Sequence, residues 1–280
     1  MDDYIGVVVI CGDEGALKTT EALSFPQPIV HFDIDVGGYR RASWRINTSN
    51  IKSKSYPKPI QLNKLMGSIT DNASTRIQIP KKVEGMKELW QDIVTDYVAA
   101  CQDPSVATIV LDSSTVLWVI CHMAYLQELQ EKQLAQHKGP NAFDENNYRE
   151  RLQPIEYSQP NDRMRSLINT SRSFIKNLIL THYPTDEYGV VPDGHGGMTE
   201  GKTGTKVLDG FKETVKLADL VMWNRLMKQS NGTNIVVSKI TKCGLAGMGL
   251  TVVGDEIEAS YESLVNLRTM MTALVEASNA

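Results

Sequence analysis

The stretch Cys11-Gly12-Asp13-Glu14-Gly15-Ala16-Leu17-Lys18-Thr19-Thr20 holds residue types that can bind an anion. The apolar run Ile5-Gly6-Val7-Val8-Val9-Ile10 leads into it and the helix-compatible Glu21-Ala22-Leu23 follows, so strand, loop and helix come in the order a phosphate-binding loop needs. In such a loop the backbone N–H groups surround the phosphates, a lysine reaches the terminal ones and a hydroxyl binds Mg²⁺. Lys18 and Thr19 stand at those two places. The spacing from Gly12 fits G-x-x-x-x-G-K-[ST], with Leu17 where the second glycine belongs. Glycine there lets phosphate approach the backbone closely, so a leucine must turn outward or distort the loop. A plain strand-to-helix turn is the alternative, because one short motif recurs by chance.

Acids at strand ends are the second source of chemistry. Ile29-Val30-His31-Phe32-Asp33-Ile34-Asp35 has the pattern of a buried strand ending in two acids, and alternation puts Asp33 and Asp35 on one side. At the carboxyl end of a central strand they point into the ligand crevice of an α/β sheet, where one could orient or deprotonate a water. A solvated strand end that caps the next loop is equally compatible. Ala107-Thr108-Ile109-Val110-Leu111-Asp112-Ser113-Ser114 has the form of a Walker B element, its Asp112 holding the Mg²⁺ water shell at the mouth of a neighbouring strand. Asn177-Leu178-Ile179-Leu180-Thr181-His182-Tyr183 is another apolar run with a polar tip, from which Thr181 or His182 could sense a terminal phosphate. Segments 217–223 and 234–242 extend the sheet, and Lys239 and Lys242 lie on the latter.

Between the strands, apolar positions from Val83 to Ala100 recur at three and four, as in an amphipathic helix. Helices are also expected over 115–136, 163–175 and 260–277. Residues 39–80 mix basic, aromatic and β-favouring segments and suggest an insertion with an irregular hairpin; Tyr39, Trp44 and Tyr56 among arginines and lysines could stack on single-stranded nucleic acid, or simply form a solvated edge. Residues 137–160 are expected to be a mobile excursion and 184–206 a long polar loop. Gly201-Lys202-Thr203 is no second phosphate loop, since no buried strand precedes it.

Composition sets the frame. A chain of 280 residues with 41% hydrophobic and 22% charged residues is long enough for a full core and suits one embellished domain over 1–280. No apolar run nears the roughly 20 residues that cross a bilayer, and Met1-Asp2-Asp3 is unlike a signal peptide, so a cytoplasmic protein with no membrane partner is expected. Net charge of −4 argues against a wholly basic surface while leaving room for a local patch. The four cysteines are widely spaced in apolar runs and point to reduced core thiols; the five histidines lack metal-ligand spacing, so no zinc site is expected.

Taken together, the loop before Lys18-Thr19-Thr20, the proline-flanked strand from Phe25-Pro26-Gln27-Pro28 to Asp35-Val36-Gly37-Gly38, the Asp112-Ser113-Ser114 strand end, the block from Phe174 to Thr181-His182 with Asp186-Glu187-Tyr188, and Leu208-Asp209-Gly210-Phe211-Lys212 before Leu217-Ala218-Asp219 resemble the RecA-like P-loop ATPases. The nearest likeness is to a phage-encoded nucleotide-binding family related to single-strand-annealing recombinases, over most of residues 5–245. The resemblance implies an α/β fold with a mainly parallel central sheet flanked by helices. It also implies ATP and Mg²⁺ as ligands, single-stranded DNA as a partner in phage recombination or replication, a homo-oligomeric ring or filament, and the host cytoplasm as location. Residues 12–20 would bind the nucleotide, Thr19 and Asp112 the metal, and Asp35 would activate water. Lys239 and Lys242 would reach a neighbouring subunit's phosphate. A non-catalytic module that keeps the fold, and a phosphotransferase acting on a small molecule, are the alternatives.

Overall fold

Unbroken apolar runs such as Val7-Val8-Val9-Ile10 suit strands covered on both faces, and in the computed structural model they lie side by side in one sheet. Residues 4–59, 82–136, 149, 151–192, 197–245 and 248–278 are described. In chain order, β1 (Val7–Gly12) leads to the short α1 (Lys18–Ala22), β2 (Ile29–Asp33), α2 (Gly38–Ala42) and β3 (Ile51–Ser55). The long α3 (Met86–Gln102) precedes β4 (Thr108–Asp112), α4 (Ser114–Gln136), α5 (Ser158–Ser173) and β5 (Asn177–His182). Then come β6 (Pro184–Pro192), β7 (Met198–Leu208), α6 (Thr214–Leu217), β8 (Leu220–Lys228), β9 (Asn234–Cys243), β10 (Glu256–Glu258) and α7 (Tyr261–Ser278).

The eight-stranded sheet runs β10-β9-β8-β1-β5-β4-β2-β3. From β8 through β3 every neighbouring pair is parallel, and β9 and β10 close the far edge antiparallel. Alternation along each strand divides the core in two. Val7, Val9, Ile109, Leu111, Leu178 and Leu180 pack under α3, α4 and α5, around Trp90, Ile93, Tyr97, Leu117 and Ile168. Val8, Ile10, Val110 and Ile179 face the other way, toward Leu23, Phe25, Leu264 and Leu267 from the α1 and α7 side. With both faces covered, the carboxyl ends of the parallel strands are the place left for a ligand. The four cysteines are free and buried. Among the described residues no helix is long and apolar enough to cross a membrane.

Three segments differ from expectation. In 39–59 there is no hairpin: β3 joins the sheet edge parallel to β2, from Ile29 opposite Ile51 to Asp33 opposite Ser55. The rest of the expected insertion, 60–80, lies outside the described residues. Of the expected excursion at 137–160, residues 137–148 and 150 also lie outside them, while a 3₁₀ turn (Pro154–Tyr157) leads into α5, which starts at Ser158, ahead of the expected 163. The supposed polar loop at 184–206 is largely strand, because β6 and β7 pair antiparallel as a separate two-stranded sheet, with 193–196 not described. Both faces of that ribbon meet water, with Tyr188, Val190 and Met198 exposed. It therefore lacks the apolar alternation by which a half-buried strand is recognised.

Candidate active site

The loop after β1 takes a left-handed turn at the leucine. Leu17 caps α1 with φ 52° and ψ 23°, the left-handed conformation that glycine adopts freely. The left-handed backbone costs roughly 1–2 kcal/mol for a non-glycine residue, and Leu17 itself is half-buried and lines the cleft beside the loop. Gly12 is needed for space, since a Cβ there would lie 2.7 Å from the Asn224 carbonyl oxygen. Lys18 opens α1, and its ammonium donates to the carbonyls of Gly12 (2.7 Å) and Asp13 (2.9 Å) while lying 4.5 Å from the Tyr183 ring centroid. Burial lowers its pKa, with the charge of Asp112 the main opposing influence. The amides of Lys18 and Thr19 have no intrahelical acceptor, as at the start of any helix.

A buried polar network seats the loop. Asn224 Nδ2 on β8 donates to the Ala16 carbonyl (3.0 Å) and to Glu21 Oε2 (2.6 Å), and the Ser238 hydroxyl on β9 lies 2.8 Å from Glu21 Oε1 and 2.9 Å from Asn224 Oδ1. One hydroxyl proton cannot serve both acceptors. A proton on Glu21 resolves the shortage: the acid donates to Ser238, which then donates to Asn224. Burial pushes the Glu21 pKa up to about 7 against the bonds from Asn224 and Ser238.

Asp112 reaches the same loop from farther off than expected, because β5 lies between β1 and β4. Thr19 Oγ1 donates to its Oδ2 at 2.7 Å, Thr181 Oγ1 donates to its Oδ1 at 2.5 Å, and His31 Nε2 is 3.4 Å from Oδ2. Burial acts to raise the Asp112 pKa, but the His31 hydrogen bond and charge, with the Thr181 and Thr19 hydroxyls, outweigh it and hold the carboxyl below its ordinary value. A Cβ on Gly38 would stand 2.5 Å from Asp112 Oδ2 and 3.2 Å from Thr19 Oγ1, so only glycine leaves that space open. Paired hydroxyl and carboxylate oxygens beside such a gap fit a hard cation such as Mg²⁺.

The two acids at and just past the end of β2 separate in role. Asp33 is buried and accepts from the amides of Gly37 (2.9 Å) and Gly38 (3.2 Å), so it caps the turn into α2 instead of sharing a site with its neighbour. Its oxygen also lies with His31 and Asp112 in a group whose donor atoms fall within 4.8 Å of one another. Asp35 is exposed and its Oδ2 accepts from the Tyr183 hydroxyl at 2.5 Å. Asp35, Asp112, Tyr183 and loop residues Glu14, Gly15, Ala16, Leu17, Lys18, Thr19 and Thr20 line one cleft of about 630 Å³, and Arg41 and Arg45 line it from α2 and the turn beyond. That volume is of the size small-molecule sites have.

Three expected residues stand elsewhere. His182 is fully buried and away from the cleft lining, its Nδ1 2.9 Å from the Asp209 carbonyl; burial lowers its pKa to about 4, against that hydrogen bond. Strand alternation gives Thr181, and not His182, to Asp112. Lys242 donates to the carbonyls of Val215, Lys216 and Ala218 around the end of α6. Lys239 is exposed on β9, opposite Glu256 of β10. Sequence reasoning missed His31, Tyr183 and the arginines of 41 and 45. The first had a signal, since it lies two residues before Asp33 on the same strand face; the others depend on which strand ends the sheet order brings together.

No protein-family model and no curated protein matches the sequence. Among solved structures the chain is similar to a KaiC-like protein from the hyperthermophilic archaeon Pyrococcus horikoshii OT3, at 12% identity and a TM-score of 0.43, over 91% of this chain and 85% of that one. The chain itself forms a mainly parallel sheet with helices on both faces and a loop-to-helix turn at the carboxyl end of β1.

Proposed function

We propose that this chain is a Mg²⁺-dependent ATP-binding protein and ATPase that acts on single-stranded DNA in phage recombination or replication. The observation that carries the nucleotide part is the convergence of Lys18, Thr19, Asp112 and Asp35, from three separate strand ends, around one cleft. Lys18 would exchange its two carbonyl acceptors for the terminal phosphates. Thr19 and Asp112 would hold Mg²⁺, which supplies charge neutralisation on the phosphates when bound. Asp35 would orient a water in line with the terminal phosphorus. The new oxygen–phosphorus bond forms as the bond to the bridging oxygen breaks, ADP leaves with that electron pair, and the water's proton passes to the carboxylate.

The DNA part is supported by Trp44, 74% exposed with the Arg45 guanidinium carbon 4.4 Å from its ring centroid, and by Arg40 and Arg41 beside it on α2. Bases stack on exposed aromatic rings, and neighbouring guanidinium groups neutralise backbone phosphates. In a ring or filament Lys239 is the lysine free to reach a neighbour's phosphate, because Lys242 is committed to carbonyls of its own chain. One observation favours a non-catalytic nucleotide-fold module instead: Lys18 already has two good acceptors within its own loop.

Turnover of radiolabelled ATP, with and without single-stranded DNA, decides between them. Wild-type protein is expected to release phosphate faster with DNA, and a Lys18→Ala protein to release it roughly 10²–10³ times more slowly. Tight ATP binding without release supports the non-catalytic module, and no binding at all removes the nucleotide proposal.

A further inference from the structure

We infer that Tyr183 is a positioning residue for Asp35, its hydroxyl fixing one carboxylate oxygen so that the other faces an attacking water; this rests on the ATPase proposed above. Asp35 needs such a holder. It is exposed, it lies past the end of β2, and the next residue, Val36, has φ 49°. Among the described residues the Tyr183 hydroxyl is its one side-chain hydrogen-bond partner, at Oδ2, which leaves Oδ1 able to accept from water.

Tyr183 is itself anchored at both backbone atoms. Its N–H donates to Thr115 Oγ1 at 3.1 Å, and its carbonyl accepts from the Asp209 amide at 2.9 Å, across the base of the β6–β7 ribbon. Thr115 in turn donates to the Asp209 carbonyl at 3.0 Å. The phenol thus projects from a fixed point over the cleft, with one face of its ring 4.5 Å from the Lys18 ammonium. Burial first, then the hydrogen bond and charge of Asp35, push its pKa up, so the hydroxyl keeps the proton it donates. A carboxylate held by a rigid neutral donor loses rotamer freedom without losing its charge. Placement of that kind separates a productive general base from a merely nearby one.

The test compares Tyr183→Phe, Asp35→Asn and the double variant for ATP turnover, with wild type and Lys18→Ala alongside. Tyr183→Phe keeps the ring near Lys18 and is expected to lower kcat about tenfold with KM within twofold of wild type. In the Asp35→Asn background the same change is expected to cost nothing more, because the hydroxyl acts through that carboxylate. Independent losses in the double variant, or an unchanged kcat in Tyr183→Phe, overturn the inference. A second readout needs no turnover: in 3-fluorotyrosine-labelled protein, the resonance that Tyr183→Phe removes must move in Asp35→Asn. If it stays in place, the pair does not exist, whether or not ATP is hydrolysed. Absence of turnover in wild type counts against the ATPase proposal and leaves the resonance to judge the contact.

Discussion

Lys18 and Lys242 both donate to main-chain carbonyls of their own chain, and the two regions show how differently one residue type can be used. Lys242 lies on β9 near the sheet edge, where three carbonyls around the end of α6 take all its donors. Such a lysine closes a helix end, where a positive charge suits the last carbonyls. Lys18 has two carbonyl acceptors, an aromatic face beside it, and the cleft on its remaining side. Its surroundings also lower its pKa by burial, so the charged form gains from any anion that arrives. A fully satisfied ammonium is scaffold, whereas one with replaceable partners beside an open volume is expected to exchange them for an anion.

The sharpest way to break this contrast is to remove each lysine in turn. Lys18→Ala is expected to lower ATP turnover by roughly 10²–10³, the usual loss when a charge-stabilising donor is deleted, whereas Lys242→Ala leaves turnover within about twofold. If Lys242→Ala proves as damaging at catalytic concentrations of assembled protein, the helix-end role assigned to it is wrong.

The ground beneath Lys18 gives the next largest effect. Burial raises the Glu21 pKa to about 7 from an ordinary 4.5, so the neutral acid stabilises the fold; that contribution is complete below about pH 4.5 and is lost as pH rises through about 7. His182 acts in the opposite sense, since its pKa is lowered from 6.5 to about 4 and its contribution is lost as pH falls through that value. The two partly cancel in wild type. Glu21→Gln, whose amide can donate to Ser238 and accept from Asn224, is expected to add about 3 kcal/mol above pH 7. It should also expose the His182 loss as a steeper fall toward pH 4. Urea unfolding at a series of pH values measures both.

Smaller effects refine the comparison. Lys242→Ala should destabilise by about 1–3 kcal/mol in urea, the worth of charge-assisted hydrogen bonds lost at a helix end. Leu17→Gly exchanges roughly 1–2 kcal/mol of left-handed strain for the roughly 0.5–1 kcal/mol entropic cost of glycine. Its stability should rise by no more than about 1.5 kcal/mol while ATP binds more tightly. Weaker binding would mean that the leucine side chain itself helps to seat the nucleotide.

Much of this was legible in the chain. Doubly buried parallel strands leave unbroken apolar runs, so β1, β2, β4 and β5 could be found, and the turn from Gly12 to Thr19 announced itself by spacing. The ribbon of β6 and β7 could not, because solvent on both sides erases the alternation that marks a strand. Nor could β3, whose Lys52-Ser53-Lys54-Ser55 is exposed and is strand only because β2 offers it an edge.

The sequence by itself determined the sheet's interior, the loop and the presence of acids at strand ends, since hydrophobic period and short-range spacing are local properties. Only the tertiary structure decided which polar tips meet. The insertion of β5 between β1 and β4 brings Thr181 to Asp112 and Tyr183 to Asp35, and it consigns His182 to the interior one residue away. Contacts across 69 and 148 residues of chain depend on strand order, and no local pattern encodes that order.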